Sequence, residues 1–318
     1  MCAKNRQPQL GADWEGRLAE WLATILPDGA HGREIQDWAF PTDKLRDEYL
    51  GSIGSRSGDE VRALLRLFLW EATTFGNLEL DLVSLEMADA DTRAKASESE
   101  FYRRLQRGQN AYPGIRWVLD LLPNNPRLAL AAIEAYLIAH FGHLPDGRIA
   151  GLDDAMAVIQ ARYVGLPANA EEKRLTFFEL SPRDFERLIE CLYDAMDYET
   201  LLTPPSKDGG RDIVASSDAP GKHERLQVEC KLYSDHTVGV ERIRLLHSVV
   251  MDQKANRGVL VTSSHFTQDA RAWAERNAIE LISGLELVVL LNQYFGSEWP
   301  ARVDFLIAMS RLRHPDPP

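Results

Sequence analysis

The chain is poor in cysteine: Cys2, Cys191 and Cys230 are the only three in 318 residues, and no two form a C-x-x-C pair. An odd, scattered set argues against a disulfide framework and a cysteine zinc site, and fits a reducing cytoplasm. No apolar run reaches about 18 residues, so no transmembrane helix and no membrane partner is expected. The opening Met1-Cys2-Ala3-Lys4-Asn5-Arg6-Gln7 lacks the apolar stretch of a secretory signal. Positive charge is also scarce, with 36 Lys/Arg against 48 Asp/Glu and a net charge of −12. Such a chain is not a non-specific electrostatic coat for nucleic acid. The deficit is uneven: residues 1–172 hold 18 basic and 26 acidic side chains, a net of −8, and residues 173–318 hold 18 and 22, a net of −4. A metal-dependent nuclease needs carboxylates at its site, so a mildly acidic second half is compatible with DNA.

What is present is ordinary for a globular protein, with 45% hydrophobic and 26% charged residues, and the length suits two domains. Residues 1–165 read as helical. Trp14, Leu18, Trp21, Leu22 and Ile25 recur at helical spacing, as do Val61, Leu64, Leu65, Phe68 and Leu69. Ser57 with Glu60 makes a capping box for a helix expected over 57–75. Further helices are expected near 41–49, 97–107, 113–121, 126–141 and 153–163, separated by proline and glycine breakers. His31, His140 and His143 are scattered, and the tryptophans fit a core better than a base-stacking surface. This half is expected to be a regulatory or interaction domain. Residues 166–177 read as a linker.

From Leu180 the pattern changes to alternating helices and strands, an α/β domain. Ser181-Pro182 opens a helix, strands are expected at 198–202, 211–215, 226–233, 258–263 and 279–282, and helices at 238–253, 267–277, 285–295 and 299–312. In Leu226-Gln-Val-Glu-Cys-Lys231, alternation sends Gln227, Glu229 and Lys231 to one face and Val228 and Cys230 to the other. Asp212 lies 17 residues before Glu229. If the two strands pair as a hairpin, its carboxylate comes alongside. Asp212 and Glu229, completed by the backbone carbonyl of Cys230, waters and a phosphate oxygen, would suit Mg²⁺, with Mn²⁺ as a substitute. Lys231 would orient the attacking water and stabilise transition-state charge. Glu186, on the preceding helix, could reach the same site. Gly209 and Gly210 allow a tight turn and close approach of a phosphate. Ser263, Ser264, Thr267 and Gln268 sit where a strand meets a helix N-terminus, a place that can either hold a phosphate or simply cap the helix. His223, His236, His247 and His265 show no metal-ligand spacing.

Residues from about 178 to 295 resemble the Mrr-like restriction endonuclease family of the PD-(D/E)xK nuclease superfamily. The resemblance is carried by Leu180-Ser-Pro-Arg-Asp-Phe-Glu186, Ser206-Lys-Asp-Gly-Gly-Arg-Asp212, Gln227-Val-Glu-Cys-Lys231, Gly258-Val-Leu-Val-Thr-Ser-Ser-His-Phe-Thr267 and Glu280-Leu-Ile-Ser-Gly-Leu-Glu286. It implies a restriction-endonuclease-like αβββαβ core in residues 178–318, Mg²⁺-dependent DNA cleavage and a prokaryotic defence setting. On that pattern Asp212, Glu229 and Lys231 match the core triad and Glu186 the helix carboxylate. Members of the group often carry Gln where this chain has Glu229, which is the wider superfamily's form. The expected function is therefore a metal-dependent DNA endonuclease, whose helical N-terminal half controls targeting or activation and can bind protein partners. Cutting both strands points to a homodimer or higher homo-oligomer. Two other readings use the same fold: a non-cutting DNA-binding or scaffold module, and a nuclease for branched DNA or RNA.

Overall fold

A computed structural model describes residues 16–26, 38–73, 85–204, 212–234 and 236–316. The chain divides after Gly165 into two units, residues 6–165 and 166–318. Among the described residues no helix is long and apolar enough to cross a membrane.

The first unit is helical. Helix α1 (Leu18–Ile25) buries Leu18, Trp21, Leu22 and Ile25. Helices α2 (Asp43–Gly51) and α3 (Gly58–Phe68) start at Thr42 and Ser57, whose hydroxyls accept from the backbone N–H of Leu45 and Glu60. Phe40 joins these helices, with ring centroids 5.1 Å from Trp21, 5.3 Å from Tyr49 and 5.2 Å from Phe68. Helix α3 stops at Phe68 rather than at 75, because Trp70 turns its carbonyl to the N–H groups of Ile115 and Arg116. Helix α4 (Ala90–Glu98) buries no side chain, so it carries no apolar stripe, and α5 (Glu100–Gln106) follows at once. The expected helix near 113–121 is a 3₁₀ segment, Arg116–Leu121. Helices α6 (Pro126–His140) and α7 (Asp146–Ile159) complete the unit, α7 continuing as a π-helical turn over Gln160–Val164. The Arg148 guanidinium lies 3.9 Å from the Trp38 ring centre and 4.8 Å from that of Trp70, which makes these tryptophans part of the unit's interior.

The second unit is α/β. Helix α8 (Ala170–Leu175) and a 3₁₀ turn over Thr176–Glu179 occupy the segment read as a linker. This stretch is instead packed into the unit. Phe177 is fully buried, stacked 5.7 Å from Trp299 and edge-on to Phe185 at 5.6 Å, and Lys173 bonds Asn292. Helix α9 (Pro182–Ala195) opens on Ser181, whose hydroxyl accepts from Asp184 N. Then follow β1 (Glu199–Leu202), β2 (Ile213–Ala219), β3 (Lys222–Lys231), α10 (Val240–Asp252), β4 (Arg257–Thr262), α11 (Gln268–Ala274), β5 (Ile279–Ile282), α12 (Gly284–Phe295) and α13 (Val303–Arg313).

The five strands form one sheet in sequence order. β1, β2 and β3 pair antiparallel, and β3, β4 and β5 pair parallel through helical crossovers. Helices α10 and α11 cover one face, where Ile243, Leu246, Val250 and Ala270 close around Leu260 and Ile279. Gly258 is required on that face, since a Cβ there would come within 2.7 to 3.0 Å of Ile279, Val250 and Leu246. Helix α9 packs against the sheet and against α13.

Candidate active site

The β2–β3 hairpin sets the site. Ile213 pairs with Val228, so Asp212, one residue earlier, falls opposite Glu229. Three bonds pin Asp212 there: its N–H donates to Val228 O at 2.9 Å, its carbonyl accepts from Thr203 N at 2.9 Å, and its Oδ2 accepts from Cys230 N at 2.6 Å. The parallel partner of Glu229 is Leu260, which faces α10 and α11, so Glu229 and Gln227 point to that same side. Lys231 Nζ stands 2.8 Å from Glu229 Oε1, and Glu229 is only 1% exposed. Its second oxygen, Oε2, is buried with no hydrogen-bond partner.

Glu186 reaches the same place from the first turns of α9. Its half-buried carboxylate is held by Arg183 Nη1 at 2.8 Å, and Arg183 Nη1 also donates to Thr203 O at 2.9 Å. Burial pushes the Glu186 carboxyl above its ordinary range, Arg183 opposes this, and the charge on Asp212 adds to the rise. Asp212 is raised by burial against the pull of the Cys230 N–H, Lys231 and Arg183. Glu229 is raised by burial, opposed by Lys231 and reinforced by Asp212. Burial alone would lower Lys231, but Glu229 and Asp212 outweigh it and hold the ammonium firmly charged. Cys230 is buried and its thiol lies well above its ordinary value, which makes it packing rather than a nucleophile.

Three carboxyls therefore crowd around one lysine. Each is kept from ionising freely by the others or by burial, and one buried oxygen has no donor. That donor set fits a divalent cation bound through oxygen. Among the described residues no three His, Cys, Asp or Glu side chains are grouped so that they could hold a metal ion together. Two carboxylates, those of Asp212 and Glu229, would be the residues to hold such a cation, and an ion that keeps several non-protein ligands, as Mg²⁺ does, would suit so few.

A model of the restriction endonuclease family matches residues 177–291. The Type IV methyl-directed restriction enzyme EcoKMrr of Escherichia coli is 30% identical over 153 residues, covering 46% of this chain and 47% of that enzyme. Residues 177–291 thus resemble the restriction endonuclease domain of Mrr-like proteins. An uncharacterized protein of Sinorhizobium fredii is 28% identical over 89 residues, covering 28% of this chain and 23% of its own length. The chain thus matches less than half the length of each of these curated relatives. Partial overlaps exist with two solved structures. The DNA modification-dependent restriction endonuclease AspBHI gives a TM-score of 0.38 at 26% identity, over 46% of this chain and 41% of that one. The MspJI restriction endonuclease in complex with a 27-mer oligonucleotide gives 0.32 at 17% identity, over 52% and 36%.

Within the second unit, Asp212, Glu229, Lys231, Cys230 and Glu186 come together. Gly209 and Gly210 lie outside the described residues. Ser263 and Ser264, expected beside a phosphate, are buried. Ser263 Oγ accepts from Tyr233 N at 2.8 Å and donates to Tyr233 O at 3.0 Å, so its hydroxyl is committed inside the sheet end. Thr267 uses its hydroxyl to cap α11, accepting from Ala270 N at 3.2 Å, and Gln268 is exposed beside it. Sequence reasoning missed Arg183, and it placed Gln227 on the Glu229 face without foreseeing its burial. Arg183 is the cation beside Glu186, and its i, i+3 spacing was the available signal. Gln227 is fully buried on the Glu229 face, with neither amide atom bonded.

Proposed function

We propose that the chain is a divalent-metal-dependent DNA endonuclease of restriction type, acting in prokaryotic defence within the cytoplasm. The reading rests above all on Glu229, whose one oxygen is taken by Lys231 while the other is buried and unpartnered opposite the pinned Asp212. Asp212 and Glu229 would hold Mg²⁺ or Mn²⁺. That cation, when bound, supplies positive charge against the phosphate and lowers the pKa of water. Lys231, fixed by Glu229, orients the attacking water and meets charge developing on the phosphate oxygens. Glu186 stands as an outer carboxylate, its direction set by Arg183. The helical unit, residues 6–165, controls where or when cutting occurs. Cleavage of both strands uses two copies of the domain in a homo-oligomer, which light scattering with and without DNA would detect.

The test is plasmid cleavage by the full chain with Mg²⁺ or Mn²⁺, with EDTA and Lys231→Ala as controls. Lys231→Ala should lower the cleavage rate by at least about 100-fold, on the scale of losing a preorganised charge at the reacting centre. Cleavage that persists in EDTA, or survives Lys231→Ala, sinks the mechanism. Tight DNA binding without cleavage under any metal would favour a non-cutting module instead.

A further inference from the structure

Arg183, Glu186, Arg187 and Glu190 share one face of α9 at helical spacing. The chain after α13 returns to this face. Asp316 Oδ1 lies 3.2 Å from Arg183 Nε and 2.8 Å from Arg187 Nη2, so one carboxylate oxygen sits between two guanidiniums. Arg187 Nη1 donates to His314 O at 3.0 Å. Arg187 is fully buried, yet its Nε has no hydrogen-bond partner, so it offers more donors than the tail satisfies. Asp316 itself is half exposed. Arg183 meanwhile touches Glu186 and acts on the charge of Asp212.

We propose that Arg183 and Arg187 form a subsite for a backbone phosphate of DNA beside the candidate cutting site, and that the Asp316 carboxylate fills it when DNA is absent. Paired guanidiniums recognise the oxygens of carboxylate and phosphate through the same forked donors. A phosphodiester offers two non-bridging oxygens, enough to engage both arginines and the Arg187 Nε that Asp316 leaves over. The carboxylate is half exposed, so an incoming anion can replace it while keeping a negative charge beside the buried Arg187. The subsite answers an electrostatic problem of the site: three carboxyls stand where a polyanion must arrive. Arg183 places a fixed cation at their edge. Asp316 thereby acts as an internal competitor for substrate.

This inference rests on the endonuclease reading, and its test is made separable from it by measuring binding without cleavage. Fluorescence anisotropy of a short labelled duplex, in EDTA and at several salt concentrations, compares the full-length wild type, Asp316→Asn and Asp316→Asn with Arg183→Ala. Asp316→Asn should bind about 3- to 10-fold more tightly, with a log–log salt slope steeper by about one phosphate contact. Adding Arg183→Ala should abolish the gain. Thermal melting checks that each variant is folded. Wild-type affinity in Asp316→Asn, or a gain that survives Arg183→Ala, overturns the subsite. Lys231-dependent cleavage alongside either result leaves the endonuclease reading standing. A wild type that neither binds nor cuts DNA removes both.

Discussion

Glu190, next along α9 from the candidate site, sets a pH limit on this domain. It is wholly buried and surrounded by donors: Thr200 Oγ1 at 2.5 Å and Arg313 Nε at 3.3 Å on Oε1, Arg313 Nη2 at 2.6 Å on Oε2, and the His314 ring nitrogen at 3.3 Å. Burial pushes its carboxyl up, but the bonds from His314, Arg313 and Thr200 win and bring it down to about 2, from an ordinary 4.5. Because the folded value is depressed, the ionised carboxylate stabilises the fold at pH above about 5. That stabilisation is lost as pH falls toward about 2. A carboxyl brought from 4.5 down to about 2 corresponds to a stabilisation on the order of 3 kcal/mol. The same order follows from removing one partner of a buried ion pair, about 3 to 5 kcal/mol. Glu190→Gln keeps the shape and removes the charge. In urea unfolding, read on the transition that reports loss of the sheet, the variant should be about 3 kcal/mol less stable than wild type at pH 7. The gap should shrink below about pH 5 and close near pH 2. A gap that is as large at pH 3 as at pH 7 would refute the electrostatic account and leave only packing.

Two further substitutions probe the neighbourhood of the site. Gln227→Leu removes two buried amide atoms without partners and sets an apolar side chain on the face where Leu246 and Val250 pack. Metal-free protein should gain about 1 to 2 kcal/mol in urea unfolding, and a loss would mean that the amide is bonded to buried water. Thr267→Ala removes the cap of α11 and should cost about 1 kcal/mol while leaving DNA affinity in anisotropy unchanged. A fall in affinity in a still-folded variant would return that hydroxyl to the phosphate.

Local pattern was enough for the existence of the second unit's elements from α9 onward. The strand expected at 279–282 matches β5, and Ser181, Pro182 and Asp184 announce the start of α9. Alternation along β3 was legible because a strand has a period of two, and it separates Glu229 and Lys231 from Cys230. What could not be read depends on partners distant in sequence. Helix α3 ends early because Trp70 meets residues 115 and 116, and the supposed linker is anchored because Phe177 stacks on Trp299. Helix α4 was missed for the opposite reason, since it buries nothing and so leaves no stripe. The serines after β4 could either hold a phosphate or cap the helix, and only the distant Tyr233, bonded to Ser263, commits that hydroxyl inward. Arg183 has a local signal in Glu186 three residues on, but its other partners, Thr203 and Asp316, come from separate segments.

The two sides of Asp212 are held in different ways. Toward the N-terminus, a cross-strand bond fixes it, its carbonyl accepting from Thr203 N–H at 2.9 Å. Toward the C-terminus, the carboxylate's position is counted off residue by residue along a hairpin. Deleting a single residue from the Ala219–Lys222 turn would force the β2–β3 register to slip and carry Asp212 away from Glu229. One flank of this aspartate is therefore tied by a bond across the sheet, while the other behaves as a ruler of fixed length.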